Sequence, residues 1–142
     1  MKMDELIELN RPEEEINLLS PLTWAYVGDC VYELYIRTKL VQNTNLKPHK
    51  LHIEAIKYVK AKSQADFLKK IQDELTEEEK DIVRRGRNSE NHHLPKNSNV
   101  QEYSHATAFE ALIGYLYLTK KFERLKEIFV VSFGTSFFDN LF

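Results

Sequence analysis

The sequence predicts an all-α domain, and three features carry that reading. Glycine and proline number four each among 142 residues, too few for the turns of a β-rich chain. Apolar side chains recur at helical spacing through much of residues 20–133, as in Leu51, Ala55, Ile56 and Val59. Helix-start signals stand where such runs begin: Ser20-Pro21, and the capping box of Thr76 with Glu79.

Residues 1–19 read as an acidic N-terminal segment, with a short helix folded against the body. Six acids (Asp4, Glu5, Glu8, Glu13, Glu14 and Glu15) stand there against Lys2 and Arg11. A catalytic domain is expected over residues 20–133 and a C-terminal tail over 134–142. Ser20 offers a hydroxyl cap and Pro21 a first helical residue. The helix they open runs to about residue 40, apolar nearly all round and therefore central. Residues 42–45 form a polar turn, and a second helix begins near Pro48. A bend near residues 61–63 separates it from a third helix, whose Lys62-Ser63-Gln64 reads first as solvated surface. Thr76 opens a fourth helix through about Arg85, with Gly86 placed to stop it. Residues 86–102 are polar and longer than an ordinary helix connection, which marks a functional or mobile loop. Ser104 is positioned to cap a fifth helix, and Lys121 starts a sixth.

The lone cysteine, Cys30, has no internal disulfide partner and reads as a small core residue in an apolar run. No apolar stretch approaches the ~20 residues of a membrane span, and the N-terminus lacks the layout of a secretory signal. A cytoplasmic protein with no membrane partner is expected. Net charge is −2, yet residues 47–96 hold twelve of the twenty Lys and Arg. Nucleic-acid contact depends on local charge, so the acidic average does not exclude it.

Two apolar helices each carry an acid where periodicity calls for an apolar residue: Asp29 in the first, beside Gly28, and Glu110 in the fifth. A buried carboxylate needs a partner. That partner is either a basic side chain, such as Arg37 or His105, or a cation shared by both acids. Oxygen ligands of this kind suit Mg²⁺, with Mn²⁺ as a substitute, and such a site can activate water against a phosphodiester. Glu33, one turn after Asp29 on the same face, is either part of the site, as a further ligand or a group supporting one, or the surface partner of Arg37. Arg84, Arg85, Arg87 and Asn88, followed by Lys96 and Asn97, suit phosphates and the minor groove of A-form RNA. Lys62 joins them as a weaker candidate. The alternative is that basic residues at a helix end only complement its dipole. His92-His93 has no cysteine or spaced histidine to make a zinc site.

Tyr26-Val27-Gly28-Asp29 resembles the ribonuclease III signature, in which a helix carries L-G-D, and residues 108–114, A-F-E-A-L-I-G, resemble the family's second motif, V-E-A-L-I-G. Ala61-Lys62-Ser63-Gln64-Ala65, Arg84-Arg85-Gly86-Arg87-Asn88, Pro95-Lys96-Asn97 and Val100-Gln101-Glu102-Tyr103 resemble the Mini-III branch. The likeness spans residues 20–128 in order. It implies the ribonuclease III endonuclease-domain helical fold as a homodimer, without a double-stranded-RNA-binding domain. It also implies Mg²⁺-assisted hydrolysis of double-stranded RNA to 5′-phosphate ends, with Asp29 and Glu110 as catalytic metal ligands. Precursor large-subunit (23S-type) ribosomal RNA is the implied substrate; whether a ribosomal protein helps is left open. Two positions depart from larger family members: Ala25 and Thr107 stand where those carry acids. The competing reading is a catalytically silent relative that binds RNA or ribosomes as a scaffold, but such relatives typically lack the carboxylates. The bulk of Tyr26, Phe109, Leu112 and Leu116 is a further reason to expect a dimer, as surface too apolar for one thin domain to bury.

Overall fold

Ser20 accepts a hydrogen bond from the Leu22 amide and so starts a 23-residue helix, as its hydroxyl and the following proline predict. The computed structural model describes residues 1–89 and 99–134. Among them lie α1 (Met3–Ile7), α2 (Glu13–Asn17), α3 (Pro21–Asn43), α4 (Pro48–Val59) and α5 (Ala61–Ile71). A 3₁₀ turn (Gln72–Glu74) leads to α6 (Glu77–Asn88), α7 (Val100–Leu118) and α8 (Phe122–Phe133). No strand occurs among the described residues, and none of their helices is long and apolar enough to cross a membrane.

α7 is the axis of the fold. It packs most extensively on α3, then on α6 and α5, and ten of its residues are buried. Tyr32, Phe67, Phe109, Phe129 and Phe133 join α3, α5, α7 and α8 through edge-to-face and stacked contacts. Lys60, with ψ 153°, separates α4 from α5 at the bend the sequence suggests. The capping box closes in both directions, Glu79 N to Thr76 Oγ1 at 3.1 Å and Thr76 N to Glu79 Oε1 at 2.9 Å.

Several expectations need correction. Gly86 does not stop a helix; it lies inside α6, where a Cβ would stand 3.0 Å from the Cα of Ala108 and the Cβ of Ala111. It is there to let α6 lie close on α7. α7 starts a turn before Ser104, because the Asn99 side chain accepts from the Gln101 and Glu102 amides. That first turn buries none of its residues, so it adds nothing to the apolar periodicity that begins at Ala106. Of the expected 86–102 loop, residues 86–88 belong to α6 and 100–102 to α7, while 90–98, including Lys96 and Asn97, lie outside the described residues. Ile56 is exposed and Tyr58 takes its place on the inner face of α4. Cys30 is also exposed, since it points outward from α3. Phe109, Leu112 and Leu116 are buried within the single chain, so only Tyr26 remains of the bulk expected to need a partner.

The acidic N-terminal segment is fastened to the body. Ile16 is buried, and its carbonyl accepts from Trp24 Nε1 at 2.8 Å. Arg85 lies over the Trp24 ring at 4.6 Å and donates to Asn17 Oδ1 and to the Asn17 carbonyl. Lys121 bonds Glu13 at 2.9 Å and Glu78 at 3.3 Å, and the Tyr115 hydroxyl donates to Glu78 at 2.8 Å.

Candidate active site

Gly28 and Gly114 set where α3 crosses α7. A Cβ on Gly28 would stand 1.7 Å from the Glu110 carbonyl oxygen; one on Gly114 would stand 1.8 Å from that of Trp24. Each helix presses its glycine onto the backbone of the other, one turn before the other's glycine. Glycine costs a helix about 1 kcal/mol against alanine, and this contact, which no other residue permits, is what offsets it. The crossing places Asp29, which follows Gly28, beside Glu110, which lies under it.

Among the described residues, the two carboxylates meet without a counterion. Burial, then hydrogen bonding and repulsion from Asp29, push the Glu110 carboxyl up to about 9, against a smaller opposing effect of the Gln64 amide. The basic partners that could have made this an ordinary buried ion pair are engaged elsewhere. Arg37 bonds Glu33 at 2.7 Å, one turn along α3. His105 Nδ1 faces the Gln101 carbonyl at 2.7 Å. Glu33 thus stands in the surface pair, the second of the two roles open to it.

Two adjacent carboxylates, one half-buried and one exposed to incoming ligands, are a hard-oxygen donor set suited to a divalent cation. Ala25 and Thr107 are buried at the positions where larger relatives carry acids. No group of three or more His, Cys, Asp or Glu gathers as a metal cluster among the described residues. A cation here would take the rest of its shell from water and phosphate, as Mg²⁺ commonly does.

The basic candidates divide. Lys62, Arg84, Arg87 and Asn88 are exposed, Arg84 paired to Asp81 one turn back. Arg84 and Arg87 line one hollow with Lys80, Gln72 and Asp73. Arg85, by contrast, faces inward on Trp24 and Asn17. The site residue that sequence reading passed over is Gln64, taken with its neighbours for solvated surface but 3% exposed. Its signal was there: Gln64, Ala65, Phe67, Leu68 and Ile71 fall on one helical face.

The pattern of matched residues decides the family. The Ribonuclease III domain model matches residues 22–121. The chain belongs to the ribonuclease III family. It is 57% identical over 120 residues to a Mini-ribonuclease 3 of Thermoanaerobacter sp. (strain X514), covering 84% of each chain. It is 47% identical over 121 residues to a Mini-ribonuclease 3 of Staphylococcus aureus, covering 84% of this chain and 90% of that one. A crystal structure of a Fusobacterium nucleatum protein superposes with a TM-score of 0.73 at 38% identity, over 80% of this chain and 91% of that one. The all-helical ribonuclease III fold expected from the sequence is therefore the fold observed.

Proposed function

We propose that Asp29 and Glu110 hold a divalent cation, Mg²⁺ or Mn²⁺ in its place, with which this chain cuts double-stranded RNA. The activity itself comes with the family: the chain is an endoribonuclease. The observation that carries the metal reading is the meeting of two carboxylates with no basic partner among the described residues, Arg37 and His105 being committed elsewhere. A bound Mg²⁺ supplies a more acidic water and neutralises charge on the phosphodiester. The protein's part is to fix both carboxylates through the glycine crossing, so that the phosphate meets a preset geometry.

Lys62, Arg84, Arg87, Asn88, Lys96 and Asn97 are assigned to the RNA backbone; the exposed placement of the first four supports this. Arg85 is assigned a supporting role beneath them. Precursor large-subunit ribosomal RNA, in the cytoplasm, is the proposed natural substrate. The working form is proposed as a homodimer joined along the outer face of α3. There Tyr26, Leu34 and Val41 are 78%, 56% and 63% exposed at helical spacing, with Cys30 between them. Sedimentation at micromolar concentration should give twice the chain mass.

Incubation with a long RNA duplex, then with precursor ribosomal RNA, tests the activity, with Mg²⁺ against EDTA and end-mapping of products. Duplex cut only with metal, to 5′-phosphate ends, is the expected result. Binding without cleavage in any divalent metal would favour the silent-scaffold alternative.

A further inference from the structure

A buried amide stands where the two carboxylates meet. Gln64 lies on the inner face of α5, and its Nε2 donates to the carbonyl of Val59, the last residue of α4, at 2.9 Å. A carbonyl only accepts, so this bond settles which end of the amide is nitrogen. The same amide stands beside the Glu110 carboxylate. Its oxygen, Oε1, is the buried side-chain polar atom left without a hydrogen-bond partner among the described residues.

Leaving such an acceptor unpaired is costly, and an apolar side chain of the same volume avoids that. Around it α5 is apolar: Ala65, Phe67, Leu68 and Ile71 are all buried. Packing therefore does not explain an amide here, whereas a donor arriving with a ligand does.

We propose that Gln64 is a positioning residue of the metal site: Nε2 holds Glu110 in place, and Oε1 accepts a hydrogen bond from a hydrated divalent cation. This rests on the reading of Asp29 and Glu110 as that cation's carboxylates. Mg²⁺ keeps several of its waters, which are donors of the kind Oε1 lacks. An amide suits the position better than a third acid, because it adds no charge beside two carboxyls already in contact and still donates to Val59. Groups that orient a metal's carboxylates typically change metal affinity 10–100-fold when removed.

The test is Mn²⁺ binding to the RNA-free protein, followed by the resonance of free Mn²⁺, with melting temperature read alongside. Gln64→Leu and Gln64→Met each remove both amide groups while keeping bulk, so one can stand in if the other folds poorly. The expected result is a 10–100-fold weaker Mn²⁺ affinity in a folded variant, and a Mg²⁺ half-saturation for cleavage raised in step. A merely structural glutamine predicts a lower melting temperature without metal and an unmoved Mn²⁺ affinity, which would overturn the proposal. Asp29→Asn and Glu110→Gln separate the two layers. If they bind Mn²⁺ as wild type does, the metal site itself is misplaced. If they lose Mn²⁺ while the Gln64 variants keep it, only the role of Gln64 falls.

Discussion

Glu79 and Glu110 are both glutamates packed against the core, and their surroundings treat them in opposite ways. Burial works against the charge of Glu79, but two bonds from Arg124, each 2.8 Å, and the Thr76 amide more than offset it, so its carboxyl is held below the usual range. Glu110 has burial and a second acid against it and only an amide in its favour. The first arrangement is complete within the chain and serves stability. The second has no basic partner among the described residues, and the proposed cation would supply the charge it lacks. An acid's burial says little about its job; its partners say most of it.

The contrast is most sharply broken at Asp29 and Glu110. Asp29→Asn and Glu110→Gln should lower single-turnover cleavage by several orders of magnitude. Duplex affinity and metal-free melting temperature should hold, since without a cation the raised Glu110 carboxyl is protonated near neutral pH and its amide replacement takes away no charge. Normal cleavage by either folded variant would remove that residue from the site. Next in size is Gly28→Ala, whose Cβ meets backbone that cannot give way. A loss of about 3 kcal/mol or more is expected by chemical denaturation, with cleavage lost beyond the unfolded fraction. Stability near that of wild type would mean the crossing is looser than 1.7 Å implies.

Glu79→Gln should cost about 2 kcal/mol, the worth of charge-assisted bonds at a mostly buried site, and leave cleavage per folded molecule intact. Its pH dependence follows from the lowered native pKa. The stabilisation is complete above the ordinary glutamate value of about 4.3 and is lost as pH falls further through the native one. Acid titration of stability should therefore be shallower in the variant, and parallel curves would refute the pairing. The smallest effects separate two neighbouring arginines. Arg85→Ala should lower stability by about 1–2 kcal/mol and leave the salt slope of duplex binding unchanged. Arg87→Ala should spare stability and flatten that slope by about one phosphate contact. A reversed pattern would put Arg85 on the RNA.

Most of the fold was legible because helices announce themselves locally. Ser20, Pro21, Thr76 and Glu79 act on amides within a turn of themselves, and so their signals needed no partner. Asp29 and Glu110 could be singled out because each breaks an apolar run. What the chain did not disclose depends on packing between distant segments. Gly86 looks like a terminator until α7 lies on it, Arg85 like a phosphate ligand until Trp24 and Asn17 arrive, and Phe109 like an interface residue until Tyr32 covers it. Gln64 was hidden by its own polarity, which argued for solvent against the face it occupies.

The reciprocal glycine contact also ties catalysis to the order of events in folding. Asp29 arrives early in the chain and Glu110 late, and neither has a counterpart nearby in sequence. Only closure of α3 on α7 brings them together, a long-range step of the kind that comes slowly. On the proposed site, a chain half emerged, or with α7 astray, presents one carboxylate of the two. Activity in a mixed population would then count finished molecules.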